Sequence, residues 1–161
     1  MSYRTGFGVD FHQLVPGRPF WLGGVEVPFH KGALGHSDAD VLLHAICDAL
    51  LGAVNLGDIG THFPDTDPAF KNIDSKLLLK RTAGLIREAG YEVVNIDSTL
   101  CLEAPKIKPY IAAMQHAIAD CLQITEDLIS VKATTTETMG FVGRGEGVIA
   151  YASVLVFKTP R

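Results

Sequence analysis

The sequence predicts a single α+β (α/β) domain, in which a mixed four-stranded sheet is accompanied by a β-hairpin and has helices on one face. A chain of 161 residues is long enough for one hydrophobic core and too short for two. Segments of strand composition alternate with segments of helical periodicity. Helices on both faces of the sheet would need more chain than is present, so we expect one two-layered domain over residues 1–161.

The strands are predicted from β-rich composition between turn residues. The four strands of the sheet are residues 3–12, 91–101, 128–136 and 147–158. A hairpin is predicted where residues 19–22 and 25–28 are joined by Gly23-Gly24. The last strand is a nearly continuous apolar run, which is typical of a strand buried on both faces. We therefore expect a second subunit to cover the face that the helices leave open.

Three helices are predicted, over residues 39–53, about 76–89 and about 110–123. Ser37 or Asp38 can cap the first helix, which closes near Gly52 and Asn55. The second helix can be capped by Asp74-Ser75, and Gly90 ends it. The resulting order is strand and hairpin, helix, helix, strand, helix, strand, strand.

Composition excludes several classes of protein. With 14 basic and 18 acidic residues and a net charge of −4, the chain has no basic cluster for nucleic acid. Its longest apolar run, residues 148–157, is about half of what a membrane-spanning helix needs, and no secretory segment is expected. The cysteines Cys47, Cys101 and Cys121 are odd in number and lie in apolar stretches, which indicates core thiols in a reducing cytoplasm.

A metal site is indicated by two segments. Asp10 and His12 alternate on a predicted strand and so share a face. In the first helix Asp40, His44 and Asp48 form one polar stripe on an otherwise apolar cylinder, which favours a stripe that faces a cleft. The alternative is a solvent-exposed stripe, or a core His44 bonded to a carbonyl. Asp10, His12 and His44 together would supply a zinc-type ligand set with an open fourth position, and Asp40 or Asp48 could orient an imidazole.

Glycine-marked polar segments are the second kind of candidate. Residues 57–60 and 63–67 form one, and residues 132–146 form another. In residues 132–146, hydroxyls, backbone N–H groups and Arg144 could hold phosphate oxygens, and Glu137 could hold magnesium. The alternative for this segment is a Thr-rich edge strand followed by a Gly-rich turn. Residues 103–109 lie between a strand and a helix, a common place for a ligand, but the prolines could simply stop the strand and the lysines could be solvated.

These motifs, taken in order from about residue 5 to 157, resemble the 2-C-methyl-D-erythritol 2,4-cyclodiphosphate synthase family. The blocks that carry the resemblance are Gly8-Val-Asp-Phe-His12, Gly35-His-Ser-Asp-Ala-Asp-Val-Leu-Leu-His44, Asp48-Ala-Leu-Leu-Gly-Ala53, Gly57-Asp-Ile-Gly60, Phe63-Pro-Asp-Thr-Asp67, Asn95-Ile-Asp97, Ala104-Pro-Lys106, and Lys132-Ala-Thr-Thr-Thr-Glu137 with Gly140-Phe-Val-Gly-Arg-Gly-Glu-Gly147. Val9 departs from the pattern, which would place an aromatic residue there.

The resemblance implies a cyclising phosphorus–oxygen lyase of non-mevalonate isoprenoid biosynthesis. Its substrate would be 4-diphosphocytidyl-2-C-methyl-D-erythritol 2-phosphate, whose 2-phosphate attacks its own β-phosphorus and expels CMP. The resemblance also implies a cytoplasmic homotrimer that trimerises through the sheet, with active sites between subunits and a central channel near Phe141 and Arg144. The cytidine diphosphate-linked substrate is the expected partner, and neither nucleic acid nor membrane is expected.

The resemblance further implies the roles of individual residues. Asp10, His12 and His44 would bind zinc, Glu137 would bind magnesium or manganese, and His36 and Thr135 would stabilise the transition state. The implied substrate-binding residues are Asp10, His12, His36, Ser37, Asp58, Gly60, Phe63, Pro64, Asp65, Thr66, Asp67, Ala104, Pro105, Lys106, Ile107, Lys108, Thr134, Thr135, Thr136, Glu137, Phe141 and Arg144.

Two other classes of function are considered. A zinc hydrolase would place a general-base glutamate beside its ligands, as in His-Glu-x-x-His, and the sequence lacks that motif. A non-enzymatic metal- or nucleotide-binding trimer would bind cytidine nucleotides without releasing CMP from the diphosphocytidyl substrate.

Overall fold

The computed structural model describes residues 2–160. The strands are β1 (Tyr3–Pro16), β2 (Trp21–Leu22), β3 (Val25–Glu26), β4 (Lys31–Ala33), β5 (Tyr91–Cys101), β6 (Ile129–Thr134) and β7 (Gly147–Lys158). The helices are α1 (Val41–Ala53), α2 (Ile59–His62), α3 (Ser75–Glu88), α4 (Ile111–Leu122) and α5 (Gly140–Gly143). Short 3-10 turns occupy Pro68–Phe70, Lys108–Tyr110 and Glu126–Leu128.

The sheet is mixed, as predicted, but it has five strands rather than four, in the order β4-β1-β7-β5-β6. The β5–β6 pair is parallel, and the other neighbours in this sheet are antiparallel. The additional strand, β4, pairs with the end of β1 from Leu14 opposite Ala33 to Pro16 opposite Lys31. Three residues are too few to show an alternating pattern, which is why the sequence did not reveal this strand. The separate β2–β3 hairpin is the predicted one.

The three long helices begin and end within two residues of the predicted positions, but the cap of α1 differs. The side chain of Asp40, rather than Ser37 or Asp38, accepts the N–H of Leu43 at 3.0 Å. It also accepts the N–H groups of Gly23 at 2.9 Å and Gly24 at 2.7 Å. One buried carboxylate therefore caps the helix and holds the hairpin against it, while its burial raises the pKa of Asp40.

Helix α1 lies unusually close to β1. A Cβ atom built on Gly8 would lie 2.0 Å from the carbonyl oxygen of Ala45, and one on Gly6 would lie 1.8 Å from that of Ala49. Only glycine allows the backbones to approach this closely. The close approach brings His44 of α1 next to Asp10 and His12 of β1.

The helices α1, α3 and α4 cover one face of the sheet, and the opposite face is open in the single chain. Phe7 and Phe11 of β1 are 66% and 55% exposed on that face, and Ser153 of β7 is exposed beside them. The prediction that a second subunit covers this face stays a prediction, and in the single chain β7 is open on that side. Some of the apolar residues of β7 therefore lie on the open face of the sheet.

The predicted core position of the cysteines is correct for two of the three. The three cysteines are free, and Cys47 and Cys121 are buried, whereas Cys101 is partly exposed. Burial raises the pKa of the Cys47 thiol to about 12. Among residues 2–160, no helix combines the length and apolarity needed to cross a membrane.

Candidate functional site

Asp10, His12 and His44 converge as the sequence predicts. The Oδ2 atom of Asp10 is 3.0 Å from Nε2 of His12 and 3.1 Å from Nδ1 of His44. The two imidazole nitrogens are 3.3 Å apart. A tetrahedral zinc ion with bonds of about 2.0–2.1 Å has ligand atoms about 3.3 Å from one another. The three donor atoms therefore fit a metal ion that they would hold together.

Hydrogen bonds fix the orientation of both imidazole rings. Nδ1 of His12 donates to the carbonyl of Leu34 at 2.9 Å, which leaves its Nε2 lone pair directed at the site. Nε2 of His44 lies 2.9 Å from Oγ of Ser75 and 3.2 Å from Oγ of Ser37, which leaves Nδ1 directed at the site. Partners of this kind are typical of metal-binding histidines.

The three residues of the predicted polar stripe have three different roles, and neither Asp40 nor Asp48 orients His44. Asp40 caps the helix, and Asp48 accepts the N–H of Ile59 at 2.8 Å. Only His44 lines the cleft described below. The reason is geometric: residues four apart on an α-helix are rotated by about 40°, so a stripe of three turns away from a single target.

The charge balance of the trio favours an ionised Asp10. Burial opposes ionisation of this carboxyl, but the hydrogen bonds and charges of His12 and His44 outweigh it and lower the pKa of Asp10 to about 2. Burial likewise opposes the charged form of His44, yet the neighbouring Asp10 raises its pKa. An anionic carboxylate between two imidazoles is a suitable environment for a cation.

The trio lies in a cleft of about 570 Å³, here called the metal cleft. The predicted site residues that line it, besides the trio, are His36, Ser37, Gly60, Phe63, Pro64, Asp65 and Thr66. Asp58 and Asp67 do not line the cleft. Each caps a short helical turn behind it, Asp58 by accepting the N–H of Thr61 at 2.9 Å and Asp67 that of Ala69 at 2.9 Å.

An apolar wall of the metal cleft was missed at the sequence level. It consists of Ile59, Phe70, Ile73 and Leu78. The ring of Phe70 meets that of Phe63 edge-on, with centroids 5.6 Å apart. The spacing of these residues is irregular, and their sequence carries no signal that would separate a cleft wall from the core.

A second hollow of about 450 Å³, here called the edge hollow, lies along β6 at one edge of the sheet. The predicted residues that line it are Pro105, Lys106, Ile107, Lys108, Thr134 and Thr135. Ala104 and Thr136 do not line it. The two lysines and two threonines provide cationic and polar groups beside apolar lining residues such as Ile107 and Ile111.

The loop after β6 differs from the predicted phosphate cradle. Oε1 of Glu103 accepts the N–H of Thr136 at 2.8 Å and that of Thr138 at 3.4 Å, so a carboxylate occupies N–H groups predicted to be free. These bonds lower the pKa of Glu103. Glu137 is exposed between them, with a left-handed φ of 52°. Glu103 was not predicted as a loop anchor, and its position two residues after the end of β5 was the only signal.

The glycine-rich end of this loop forms helix α5 instead of an open turn. Arg144 does not line either cavity, and its Nε donates to Glu146 at 2.8 Å. Phe141 packs against Phe11 of β1, with ring centroids 6.4 Å apart. Arg144 and Phe141 thus lie at the end of the sheet, next to its open face.

A single chain does not bring the metal cleft and the edge hollow together. The cleft is beside β1 and β4, whereas the hollow is beside β6, and β7 and β5 separate them. The trio and His36 therefore lie near one edge of the sheet, and Lys106 and Thr135 lie near the opposite edge.

The fold and the trio define a class of protein: an α+β domain with a carboxylate and two imidazoles that could hold a metal ion in a partly apolar cleft. The chain belongs to the YgbB family, whose family model matches residues 3–157. Together with this match, the names of the relatives described next confirm the resemblance found in the sequence.

Relatives of similar length share more than half of the sequence. A protein of Chloroherpeton thalassium named 2-C-methyl-D-erythritol 2,4-cyclodiphosphate synthase is 61% identical over 155 residues, which are 96% of this chain and 99% of the relative. A protein of the same name from Bacteroides fragilis is 59% identical, over 97% of this chain and 98% of the relative.

Solved structures show the same fold. A CDP-bound 2C-methyl-D-erythritol-2,4-cyclodiphosphate synthase has a TM-score of 0.88 and 36% identity, over 96% of this chain and 100% of the other. The CDP complex of Plasmodium falciparum IspF has a TM-score of 0.87 and 31% identity, over 99% and 98%. Bifunctional IspDF from Campylobacter jejuni has a TM-score of 0.93 and 46% identity, and the chain covers 43% of that longer protein and 98% of itself.

Proposed function

We propose that the chain converts 4-diphosphocytidyl-2-C-methyl-D-erythritol 2-phosphate into 2-C-methyl-D-erythritol 2,4-cyclodiphosphate and CMP, in non-mevalonate isoprenoid biosynthesis. The names of relatives about 60% identical over nearly the whole chain support this activity. The observation that carries the proposal is the trio, whose three donor atoms meet at the distances of a tetrahedral metal site inside a cleft. The expected class of enzyme is a cyclising lyase.

Asp10, His12 and His44 would hold zinc, and Glu137 would hold magnesium or manganese. Divalent cations held at these positions would supply the positive charge that offsets the repulsion between two phosphates. Two features of the chain favour metal binding: the carboxyl of Asp10 is ionised, and the lone pairs of the His12 and His44 imidazoles point into the cleft. Mixed carboxylate and imidazole ligands suit zinc, and a lone carboxylate oxygen suits magnesium.

The protein's other contribution is positioning. The nucleophile and the phosphorus belong to one molecule, so folding the substrate back makes the attack intramolecular, and no protein nucleophile is required. The apolar wall, together with Phe63, provides a place for the methylerythritol carbons and keeps water from the reacting phosphates. His36 and Ser37, on the same cleft, are proposed to contact the 2-phosphate, with His36 and Thr135 stabilising the transition state.

The edge hollow is proposed to bind the cytidine. Two of the similar solved structures contain CDP, which makes a nucleotide the expected occupant of a hollow in this fold. Lys106 and Lys108 supply positive charge, Ile107 an apolar surface, and Thr134 and Thr135 hydroxyls near the phosphates. The remaining predicted contacts of this half of the site are Ala104, Pro105, Thr136, Glu137, Phe141 and Arg144.

A homotrimer would unite the two halves. One substrate must reach both the metal cleft and the edge hollow, which one chain keeps on separate edges of its sheet. Packing of the open face, with its exposed Phe7 and Phe11, against neighbouring subunits would cover apolar surface at the same time. The proposal includes active sites between subunits and a central channel near Phe141 and Arg144. Three free thiols agree with a reducing compartment such as the cytoplasm.

The test of the proposed function is CMP release from the natural substrate, with metal analysis of the same purified protein. We expect equal amounts of CMP and cyclic diphosphate, with loss of activity on chelation and recovery on adding zinc together with magnesium. Protein that binds CDP but releases no CMP would instead be a nucleotide-binding protein. Formation of open-chain hydrolysis products without the cyclic diphosphate would indicate a zinc hydrolase.

Glu137→Gln is expected to raise the magnesium concentration needed for half-maximal activity by at least about tenfold, with zinc content unchanged. The substitution removes the negative charge that favours a hard divalent cation, while it keeps the size of the side chain. Glu126→Gln, on an exposed glutamate paired with His116, is the matched control and should leave the magnesium titration unchanged. A wild-type titration curve for Glu137→Gln would contradict the assigned role.

A further inference from the structure

We propose that Ser75 and Asp38 are positioning residues for the metal centre: together they form a hydrogen-bond relay that fixes the ring of His44 and strengthens metal binding. The inference deepens the proposed function and rests on its assignment of His44 as a metal ligand. Neither residue contacts the metal position itself, and neither was assigned a role in the site from the sequence.

The relay is a continuous chain of short contacts. Oγ of Ser75 is 2.9 Å from Nε2 of His44. The hydroxyl of Ser75 donates to Oδ1 of Asp38, and the backbone N–H of Ser75 donates to Oδ2 of the same carboxylate at 2.9 Å. Ser75 is 0% exposed and His44 is 7% exposed, so water does not compete freely for these groups.

The direction of the relay follows from the available protons. When Nδ1 of His44 offers its lone pair to a metal ion, Nε2 carries the ring proton and donates it to Ser75. The single hydroxyl proton of Ser75 is then directed at Asp38, whose carboxylate oxygens also accept the N–H groups of Ser75 and Asp40. The negative charge of Asp38 is in this way transmitted to the ring, which makes Nδ1 a stronger donor toward the metal.

A helix-capping role does not account for Ser75. The N-cap of α3 is Asp74, whose side chain accepts the N–H of Lys76 at 2.8 Å. Ser75 is the first residue of the helix, and its hydroxyl points away to His44 and Asp38. The buried Ser75 hydroxyl is therefore not needed to cap the helix, and replacing Ser75 by alanine would leave the cap of α3 intact.

The relay also links the two segments that carry cleft residues. The N–H of Asp38 donates to the carbonyl of Ile73 at 3.1 Å, and the N–H of Asn72 donates to that of His36 at 2.8 Å. With the two bonds from Ser75 to Asp38, residues 36–38 and 72–75 are joined by four hydrogen bonds. The position of His36 and the orientation of His44 therefore depend on the same contacts.

Ser37 is a weaker partner of the same ring nitrogen. Its Oγ is 3.2 Å from Nε2 of His44 and accepts the N–H of Ala39 at 3.1 Å. No contact to a carboxylate extends from the Ser37 hydroxyl among the described hydrogen bonds. Ser37→Ala is therefore expected to weaken metal binding less than Ser75→Ala.

The experiment measures zinc affinity of the metal-free full chain by competition with a chromophoric chelator, without substrate. Ser75→Ala is expected to bind zinc about 10- to 100-fold more weakly than wild type, the usual effect of losing such an outer partner. Asp38→Asn keeps an acceptor for the Ser75 hydroxyl but loses the charge and the bond from the N–H of Ser75. A smaller weakening than in Ser75→Ala is expected, because His44 keeps its hydroxyl partner. In the zinc-bound wild type, a slowly exchanging Nε2 proton of His44 should appear in the proton NMR spectrum and be lost in Ser75→Ala.

Ser98→Ala is the matched control, because Ser98 is also a buried serine and its Oγ donates to the carbonyl of Ser130 at 2.8 Å, away from the metal cleft. It should lose stability but keep wild-type zinc affinity. The relay would be overturned if folded Ser75→Ala and Asp38→Asn bound zinc as tightly as the wild type does. The proposed function would still stand in that case, provided that the wild-type protein binds zinc and releases CMP. Weakened zinc binding in both variants, with no CMP release by wild type, would support the relay and overturn the activity.

Discussion

His44→Ala is expected to lower the rate of CMP release by at least about 10³-fold and to abolish stoichiometric zinc binding. A Lewis acid at the reacting phosphates contributes several kcal/mol, and about 4 kcal/mol corresponds to 10³-fold in rate. The remaining Asp10 and His12 offer only two of the three donors that now lie within 3.3 Å of one another. Zinc held by two ligands should dissociate during purification.

The fold of His44→Ala should survive, because α1 is held by its apolar residues, among them the buried Leu43 and Ile46. Circular dichroism and thermal unfolding of the metal-free protein check this point, and elemental analysis measures the zinc. His116→Ala removes an exposed histidine of α4, which is paired with Glu126, and should keep full zinc content and activity. Full zinc stoichiometry in His44→Ala would refute the assigned ligand set.

Gly8→Ala is expected to destabilise the protein by about 3 kcal/mol or more, one of the largest effects available from a single methyl group. The added Cβ would lie 2.0 Å from the carbonyl oxygen of Ala45 and 2.8 Å from the N atom of Ala49. These are backbone atoms of α1, which can give way only if the whole helix moves from β1. For a chain of this size the melting temperature should fall by roughly 6–12 °C.

Gly8→Ala should also weaken zinc binding, because a shift of α1 separates His44 from Asp10 and His12. Gly52→Ala is the matched control, since it adds the same methyl group to α1 itself at an exposed position with nothing within 4 Å. Replacing a helical glycine by alanine normally stabilises by about 0.5–1 kcal/mol, so the two variants should differ in sign. Equal melting temperatures for both would show that β1 and α1 are not in close backbone contact.

Local patterns predicted most of the fold. The strands and the three long helices were readable because strand alternation and helical periodicity repeat within a few residues. The trio was also readable, since Asp10 and His12 share a strand face and His44 is the imidazole in an apolar helix. Strand β4 and the task of Asp48 were missed because they depend on partners distant in the chain, such as Leu14 and Ile59. Asp40 was missed as the cap of α1 although the N–H that it accepts belongs to nearby Leu43; its bonds to Gly23 and Gly24 come from the hairpin.

The cleft illustrates the same limit. The sequence placed His36, Phe63 and Thr135 in one site, but in one chain Thr135 lines a different cavity from the other two. Strand order is decided by how the whole sheet assembles, and no short segment encodes that β7 and β5 stand between β1 and β6. Glu103 and Ser75 act on residues more than 30 positions away, as their bonds to Thr136 and His44 show.

The sequence by itself determined the chemistry available to this protein: its residue types, their strand and helix faces, and its family, all of which are written within short stretches of chain. Only the tertiary structure decided which carboxylate supports which imidazole, how near α1 comes to β1, and that the two halves of the site lie apart. The physical reason is that hydrogen bonds and backbone contacts act over about 3 Å in space, whatever the distance along the chain.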